Sequence, residues 1–203
     1  ERQKIQGEKD VVDVERGKIL KIKEECDAEM AKAKPALDNA KEALSKLDEG
    51  DLKQLRSYAK PSENILAVAR NLCCVFDRKS TDYSEFKILL TDTKRFKENC
   101  QNEAMMVAKL NDPRKLKELG TLFEQIREKD FTKVSEAAVG LKAYVGALLE
   151  YVKTYREVKP KMDQQEKATK QLMAVEAELE EKSKTLREKE AELNKLKKEY
   201  DDA

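Results

Sequence analysis

Three short clusters of basic residues are the part of this sequence best suited to recognition chemistry. They are Lys53, Arg56 and Lys60; Arg114, Lys115 and Lys117; and Arg156, Lys159 and Lys161. Taken singly, each is most simply explained as a solvated surface charge. If folding brings the clusters together, they form a cationic patch suited to an acidic protein surface. Binding by such a patch is weak, sensitive to salt and readily reversed.

Catalytic and metal-binding residues are poorly represented. The chain has no histidine, which removes the commonest general base and the commonest metal ligand. It has no glycine-rich phosphate loop, no Cys-x-x-Cys pair and no nucleophile elbow. Acidic pairs such as Glu180-Glu181 and Asp201-Asp202 are typical of solvated helix faces. The sequence therefore predicts a non-catalytic segment with no catalytic residue, metal site or cofactor.

The overall composition excludes several classes of partner. The chain has 42 basic and 41 acidic residues, a net charge of +1, so gross charge does not indicate a nucleic-acid or membrane binder. No apolar run approaches membrane-spanning length and no signal segment is present. The four cysteines show no paired spacing, which favours reduced thiols over disulfides. The start in mid-heptad at Glu1 predicts a segment of a longer protein.

Two long polar helices must position the basic clusters. Each carries a seven-residue apolar repeat. The first arm holds Ile5, Val12, Ile19, Cys26, Ala33, Ala40 and Leu47, and the last arm holds Gln165, Leu172, Leu179, Leu186, Leu193 and Tyr200. Arms at opposite ends of one chain pack together only if the middle returns the backbone, which makes the pair antiparallel.

The second seam of each arm is imperfect. Lys9 and Arg16 occupy it in the first arm, and Lys182 and Lys189 interrupt it in the last. Charges at a seam weaken it and make its register less certain. Two interpretations stay open: an ordinary irregular coiled coil, or two registers that lie close in energy.

The middle of the chain reads as a bundle of short helices. Asp48-Glu49-Gly50 is a turn signal, and Pro61-Ser62 and Asp112-Pro113 are helix starts. Ser135 can cap a further helix, and no alternating strand pattern is present. The predicted fold is all-α, a long antiparallel coiled-coil stalk capped by a small globular helical bundle.

Domain boundaries follow from these signals. The first stalk helix is expected over residues 1–47, the globular head over 48–146, and the last head helix and returning stalk helix over 147–203. Gly140 and Gly146 are expected to break the helical pattern. Pro35 and Pro160 lie inside helical patterns at similar distances from the core, which predicts a pair of kinks at the stalk-head junction, where the two prolines could face each other.

The span from Pro35 to Pro160 resembles the stalk tip of dynein heavy chains, the microtubule-binding domain with the coiled coil that carries it. The resemblance rests on the order and spacing of many residues together. They are Lys34-Pro35-Ala36-Leu37, Ala40, Ala43-Leu44, Leu55-Arg56-Ser57, Pro61, Ser135, Ala137, Tyr151 and Val158-Lys159-Pro160.

The resemblance implies a six-helix head that binds the tubulin dimer of a microtubule. It also implies a stalk emerging from a ring-shaped ATPase elsewhere in the heavy chain, with sliding of the stalk helices linking nucleotide state to affinity. The implied location is the cytoskeleton, cytoplasmic or in a cilium or flagellum, with no nucleic acid, membrane or cofactor. The family's first, third and last head helices meet tubulin. By position this points to Arg56 and Lys60, to Arg114, Lys115 and Lys117, and to Arg156 with Lys161.

The sequence departs from the family pattern at four places. Tyr83 and Tyr144 stand where members often have tryptophan, and Ser62 replaces the second proline of the usual pair. Asp48-Glu49 occupies a turn where some members place lysines. This last change predicts weaker or redirected tubulin contact at that edge.

Two other function classes are alternatives. One is a chromosome-maintenance-type arm with a hinge-like head that binds nucleic acid or a partner protein. The core lacks the αβ pattern, the Cys-x-x-Cys hook and the basic face expected there. The other is a helical arm of an enzyme such as a synthetase, whose tip contacts RNA. Retention on tubulin polymers but not on RNA or DNA separates these classes.

Overall fold

The computed structural model describes residues 1–202, and every regular element in that range is an α-helix. The predicted all-α fold is therefore confirmed. The helices are α1 (Arg2–Lys46), α2 (Glu49–Ser57), α3 (Glu63–Val75), α4 (Tyr83–Leu89), α5 (Thr93–Gln101), α6 (Glu103–Leu110), α7 (Pro113–Glu124) and α8 (Glu136–Asp201).

The chain divides into two compact units. We call Glu29–Glu157 the head unit, and Glu1–Ala28 together with the chain from Val158 onward the coiled-coil unit. Helices α1 and α8 contribute to both units, whereas α2 to α7 belong wholly to the head unit.

The coiled-coil unit pairs the two heptad series in opposite directions. Its clefts are lined by matched seam residues, Ile5 with Leu186, Val12 with Leu179, and Ile19 with Leu172. Val12, Ile19, Cys26 and Leu179 are buried. The partners advance along α1 as they retreat along α8, so the helices of this unit are antiparallel, as the sequence predicted.

Charged side chains connect the two arms beside this seam. Arg2 pairs with Glu190 and Arg16 with Glu176, and Lys182 Nζ lies 3.5 Å from Glu8 Oε2. All six side chains retain substantial solvent exposure. Such pairs contribute little to stability, so burial of the seam residues holds this unit together.

The head unit has one continuous apolar core, to which every helix from α1 to α8 contributes. Its largest fully buried side chains include Tyr144, Phe86, Phe131, Leu52 and Leu72. Tyr144 keeps its hydroxyl satisfied by donating to Cys100 O at 3.1 Å. A buried tyrosine with a bonded hydroxyl fills a large apolar volume without an unpaired polar group.

The predicted helix starts lie where the sequence placed them. Ser62 Oγ accepts from Ile65 N at the start of α3, and Asp112 Oδ1 accepts from Arg114 N at the start of α7, with Pro113 in the first turn. Ser135 Oγ accepts from Ala138 N at the start of α8. Each cap satisfies a backbone donor that has no partner within its helix.

The expected breaks at Gly140 and Gly146 are wrong, because α8 runs through both without interruption. Both glycines mark places where a neighbour approaches closely. A Cβ at Gly140 would lie 3.3 Å from Leu47 Cδ1, and one at Gly146 would lie 2.6 Å from Phe123 Cζ. The two glycines predict breaks in the helix, whereas the structure shows close packing at both positions.

Two local features differ from the sequence expectation. Asp48 is the cap of α2, accepting from Gly50 N at 3.1 Å, so Glu49 and Gly50 lie in a helix and not in a turn. Helix α5 was not predicted at all. It is a polar helix whose start is capped by Asp92 and whose core-facing residues are Phe96 and Cys100.

Candidate functional site

The first basic cluster lies on and just after α2. Lys53 is exposed and pairs with Glu49 at 3.2 Å. Arg56 is half-buried, and its Nη1 donates to Thr91 O at 3.3 Å. Lys60 is exposed in the segment before α3, and nothing in the described chain pairs with it. The three side chains thus differ in how freely they can meet a partner.

The second cluster occupies the first turns of α7. Lys115 Nζ lies 2.7 Å from Asp77 Oδ1 at the end of α3. The hydrogen bond and charge of Lys115 lower the pKa of the Asp77 carboxyl. Arg114 and Lys117 are exposed, and within residues 1–202 neither forms an ion pair or a side-chain hydrogen bond.

The third cluster is divided between the two units. Arg156 is half-buried on α8 in the head unit and has no ion pair or side-chain hydrogen bond within the described range. Lys159 and Lys161 belong to the coiled-coil unit, where Lys159 Nζ lies 2.8 Å from Asp163 Oδ1. The structure therefore places only Arg156 in the same unit as the first two clusters.

The first two clusters lie on helices with different neighbours. Helix α2 packs against α4 and α5, whereas α7 packs against α3 and α6. The family resemblance implies that the third head helix meets tubulin. In chain order the third helix after α1 is α4, whereas the second basic cluster lies on α7. Helix α4 carries Lys87, whose Nζ lies 5.5 Å from the ring centre of Tyr83.

Two lysines outside the predicted clusters satisfy backbone carbonyls in the head unit. Lys97 on α5 donates to Leu47 O just beyond the end of α1, and Lys142 on α8 donates to Lys129 O at 2.7 Å. For Lys97 the position is favourable because it lies at the C-terminus of α1, where the helix dipole is negative. Neither contact has a local sequence signal, because the bonded residues are 50 and 13 positions apart in the chain.

The junction prolines lie inside long helices, Pro35 in α1 and Pro160 in α8. Pro35 belongs to the head unit and Pro160 to the coiled-coil unit.

Across residues 1–202, no group of acidic, cysteine or histidine side chains is arranged to hold a metal ion. Within residues 1–202, no helix has the length and apolar character needed to cross a membrane.

The described chain thus has two long helices, α1 and α8, and six shorter helices between them in sequence. The family described as the microtubule-binding stalk of dynein motor matches residues 1–203. This chain belongs to the dynein stalk family. The resemblance seen in the sequence is thereby confirmed, and the dynein stalk is a non-catalytic binding segment, as predicted.

Three curated relatives of this dynein stalk are heavy chains. Human dynein axonemal heavy chain 10 is 26% identical over 207 residues, covering 100% of this chain and 4% of the relative. The ciliary dynein beta chain of Tripneustes gratilla is 28% identical over 197 residues, 86% of this chain and 4% of the relative. The flagellar outer arm dynein gamma chain of Chlamydomonas reinhardtii is 37% identical over 68 residues, 34% of this chain and 2% of the relative. The stalk thus spans a small fraction of the heavy chains it matches.

Proposed function

We propose that this dynein stalk binds the tubulin dimer of a microtubule reversibly through cationic side chains of its head. We further propose that the register of its antiparallel helices sets the affinity and couples it to an ATPase ring elsewhere in the heavy chain. The observation that carries the proposal is the family match over the full length of the chain. This match favours the dynein function over a nucleic-acid-binding arm or a synthetase arm.

The proposed contacts with tubulin are the nine basic residues of the three clusters. Five of them have no ion pair or side-chain hydrogen bond in the part of the chain that the structure describes: Lys60, Arg114, Lys117, Arg156 and Lys161. These five can meet an acidic surface without breaking a bond. Lys53, Arg56, Lys115 and Lys159 must each exchange an existing contact. We therefore expect the unpaired group to contribute more to binding.

The proposed division keeps the first stalk helix at residues 1–47, the head at 48–146, and the last head helix continuing into the returning stalk helix at 147–203. The end of α1 at Lys46 and the cap of α2 at Asp48 support the first boundary. Pro35 and Pro160 remain proposed junction kinks, since a proline inside a helix removes one backbone hydrogen bond and crowds the preceding turn.

The proposed location is the cytoskeleton of a cilium or flagellum. It rests on the names of the relatives, which are axonemal, ciliary and flagellar dynein chains.

The proposed role of register rests on the residues of the seam between the two arms. Val12 faces Leu179, and four residues earlier Val175 is 44% exposed and could replace Leu179 after a half-heptad slide.

Co-sedimentation with microtubules across a salt series tests the binding proposal. The variants are Arg156→Glu and Arg56→Glu, and the matched control is Lys18→Glu, which removes an exposed pair with Glu15 in the coiled-coil unit. We expect native binding to weaken steeply with salt. Arg156→Glu should lose about tenfold in affinity at low salt, and Arg56→Glu, which loses a residue already bonded to Thr91 O, about fivefold, whereas the control stays native. If neither head variant differs from Lys18→Glu, these residues do not belong to the site.

Disulfide locking tests the role of register. In a Cys26→Ala background, the pair Val12→Cys with Leu179→Cys holds the observed register, and Val12→Cys with Val175→Cys holds one displaced by half a heptad. We expect the two oxidised proteins to bind microtubules with different affinities, and the difference to vanish on reduction. Equal affinities of the two oxidised forms would mean that the imperfect seam is only irregular.

A further inference from the structure

One carboxylate in the head unit bonds to both long helices. Glu103 is the first residue of α6. Its Oε2 pairs with Lys34 and lies 3.0 Å from Lys41 Nζ, both on α1. Its Oε1 accepts a hydrogen bond from the Tyr151 hydroxyl on α8. The Lys34 ammonium also lies 5.6 Å from the centre of the Tyr151 ring, which adds a cation–π contact between α1 and α8.

The residues just before Glu103 repeat this double attachment. Gln101 Nε2 donates to Lys41 O on α1 at 2.8 Å, and Cys100 O accepts from the Tyr144 hydroxyl on α8 at 3.1 Å. Tyr144 and Tyr151 are seven residues apart, so they point from the same face of α8. The junction of α5 and α6 is thus bonded to α1 and to α8 at two levels.

Burial makes the Glu103 cluster stronger than an ordinary surface ion pair. The Lys41 side chain is 11% exposed and that of Glu103 is 24% exposed. Burial opposes ionisation of Glu103, but hydrogen bonds from Lys34, Tyr151 and Lys41 outweigh it and lower the pKa to about 2. The carboxylate is therefore charged at neutral pH, and its bonds to both helices are charge-assisted.

The spacing of Lys34 and Lys41 makes their bonds to Glu103 sensitive to movement of α1 along its own axis. Lys34 and Lys41 are seven residues apart, roughly 10 Å along α1. A single carboxylate oxygen binds both, and Asp38 lies between them on the helix, 3.5 Å from Lys34 Nζ and 3.6 Å from Lys41 Nζ. A slide of α1 by half a heptad, about 5 Å, would bring one lysine level with Glu103 and carry the other out of reach.

We propose that Glu103 is a positioning residue that holds α1 and α8 at one axial offset, and so selects the register of the stalk. The inference rests on the proposed function, because it assigns a residue to the register that is proposed to set affinity. Glu103 meets both long helices from a third element of the head. Sliding of α1 against α8 therefore breaks at least one of its bonds in either direction.

The test measures register without microtubules. Glu103→Gln keeps the size of the side chain and removes its charge, and Tyr151→Phe removes only the hydroxyl donor. Glu63→Gln is the matched control, since it removes a carboxylate that pairs with Arg70 at 2.7 Å on α3 alone. Each change enters the two cysteine-pair proteins described above. The readout is the ratio of disulfide formed by the half-heptad pair to that formed by the observed pair in a glutathione buffer.

We expect Glu103→Gln to raise this ratio about fivefold and Tyr151→Phe to raise it by a smaller factor. Glu63→Gln should leave it unchanged. If Glu103→Gln lowers thermal stability but gives the same ratio as Glu63→Gln, Glu103 is a structural residue only and the proposal is wrong. If Glu103→Gln folds poorly, the disulfide ratio of Tyr151→Phe still tests the positioning role, because this variant removes a different atom of the same cluster.

Microtubule affinity separates failure of this inference from failure of the proposed function. Glu103→Gln should shift affinity in the direction that the half-heptad lock shifts it. A changed disulfide ratio with native affinity would support the positioning role and contradict control of affinity by register. A native chain that does not pellet at low salt would contradict the proposed function, while the disulfide ratio would still decide the role of Glu103.

Discussion

Replacing Gly146 by alanine tests whether close packing, and not chain flexibility, explains glycine in the middle of α8. The Cβ of alanine would lie 2.6, 3.2 and 3.4 Å from three atoms at the end of the Phe123 ring. Carbon atoms in ordinary contact are about 3.5 to 4.0 Å apart. The ring must therefore retreat by about 1 Å to accept the methyl group. Phe123 is only 8% exposed, so much of that movement is directed against neighbouring side chains.

Two opposing effects set the magnitude. Overpacking of this kind costs about 1 to 3 kcal/mol. Alanine is favoured over glycine in a helix interior by about 1 kcal/mol. Gly120 in α7 supplies the matched control, because a Cβ there meets nothing within 4 Å. Gly120→Ala should therefore stabilise the head by about 1 kcal/mol, and Gly146→Ala should be less stable than Gly120→Ala by about 1 to 3 kcal/mol.

Urea unfolding followed by circular dichroism at 222 nm measures both variants. The double variant Gly146→Ala with Phe123→Leu adds a check, because a shorter side chain makes room for the methyl group. Its free energy of unfolding should exceed the value expected if the two changes acted independently. If Gly146→Ala is as stable as Gly120→Ala, then Phe123 moves freely and the packing explanation is wrong.

Two further predictions concern titration and reactivity. Because the folded-state pKa of Glu103 is about 2, below its unfolded value, its bonds should add about 1 to 2 kcal/mol above pH 4.5. This contribution should disappear as the pH falls from 4.5 towards 2. Urea unfolding across that range should show a shallower loss of stability in Glu103→Gln, and parallel curves would contradict the prediction. Burial raises the pKa of the Cys73 and Cys100 thiols to about 12, so iodoacetamide at pH 8 should alkylate them at least about a hundredfold more slowly than in the urea-unfolded chain. Mass spectrometry of the modified sites measures both rates, and equal rates would mean that the head opens readily.

The parts of the fold that could be read from sequence are those with local causes. Ser62 and Asp112 are predictable as caps because a cap bonds to backbone groups two or three residues away. The pairing of Ile5, Val12 and Ile19 with Leu186, Leu179 and Leu172 follows from the seven-residue period of each arm. The same period also predicted Leu193 and Tyr200 as seam residues, but both are exposed. Helix α5 was missed because its apolar face has only two core residues, Phe96 and Cys100, too few for a periodic signal.

The parts that could not be read depend on contacts between distant residues. Gly146 looks like a helix breaker until Phe123 is seen against it. Lys34, Glu103 and Tyr151 are separated by dozens of residues, and none of the three stands in a recognisable motif. The basic clusters could be found by composition, but which of their members already have a partner depends on the folded arrangement.

The opposed pairing of seam residues also limits how the length of this protein can change in evolution. Ile5 with Leu186, Val12 with Leu179 and Ile19 with Leu172 hold only while both arms keep the same count between pairs. One residue inserted in one arm would turn the helix beyond it by about 100° and separate those pairs. Tolerated insertions in the arms should therefore come in sevens and be matched on both, so that the two arm lengths are inherited as one trait. Single insertions should accumulate instead in segments such as 125–135, between α7 and α8.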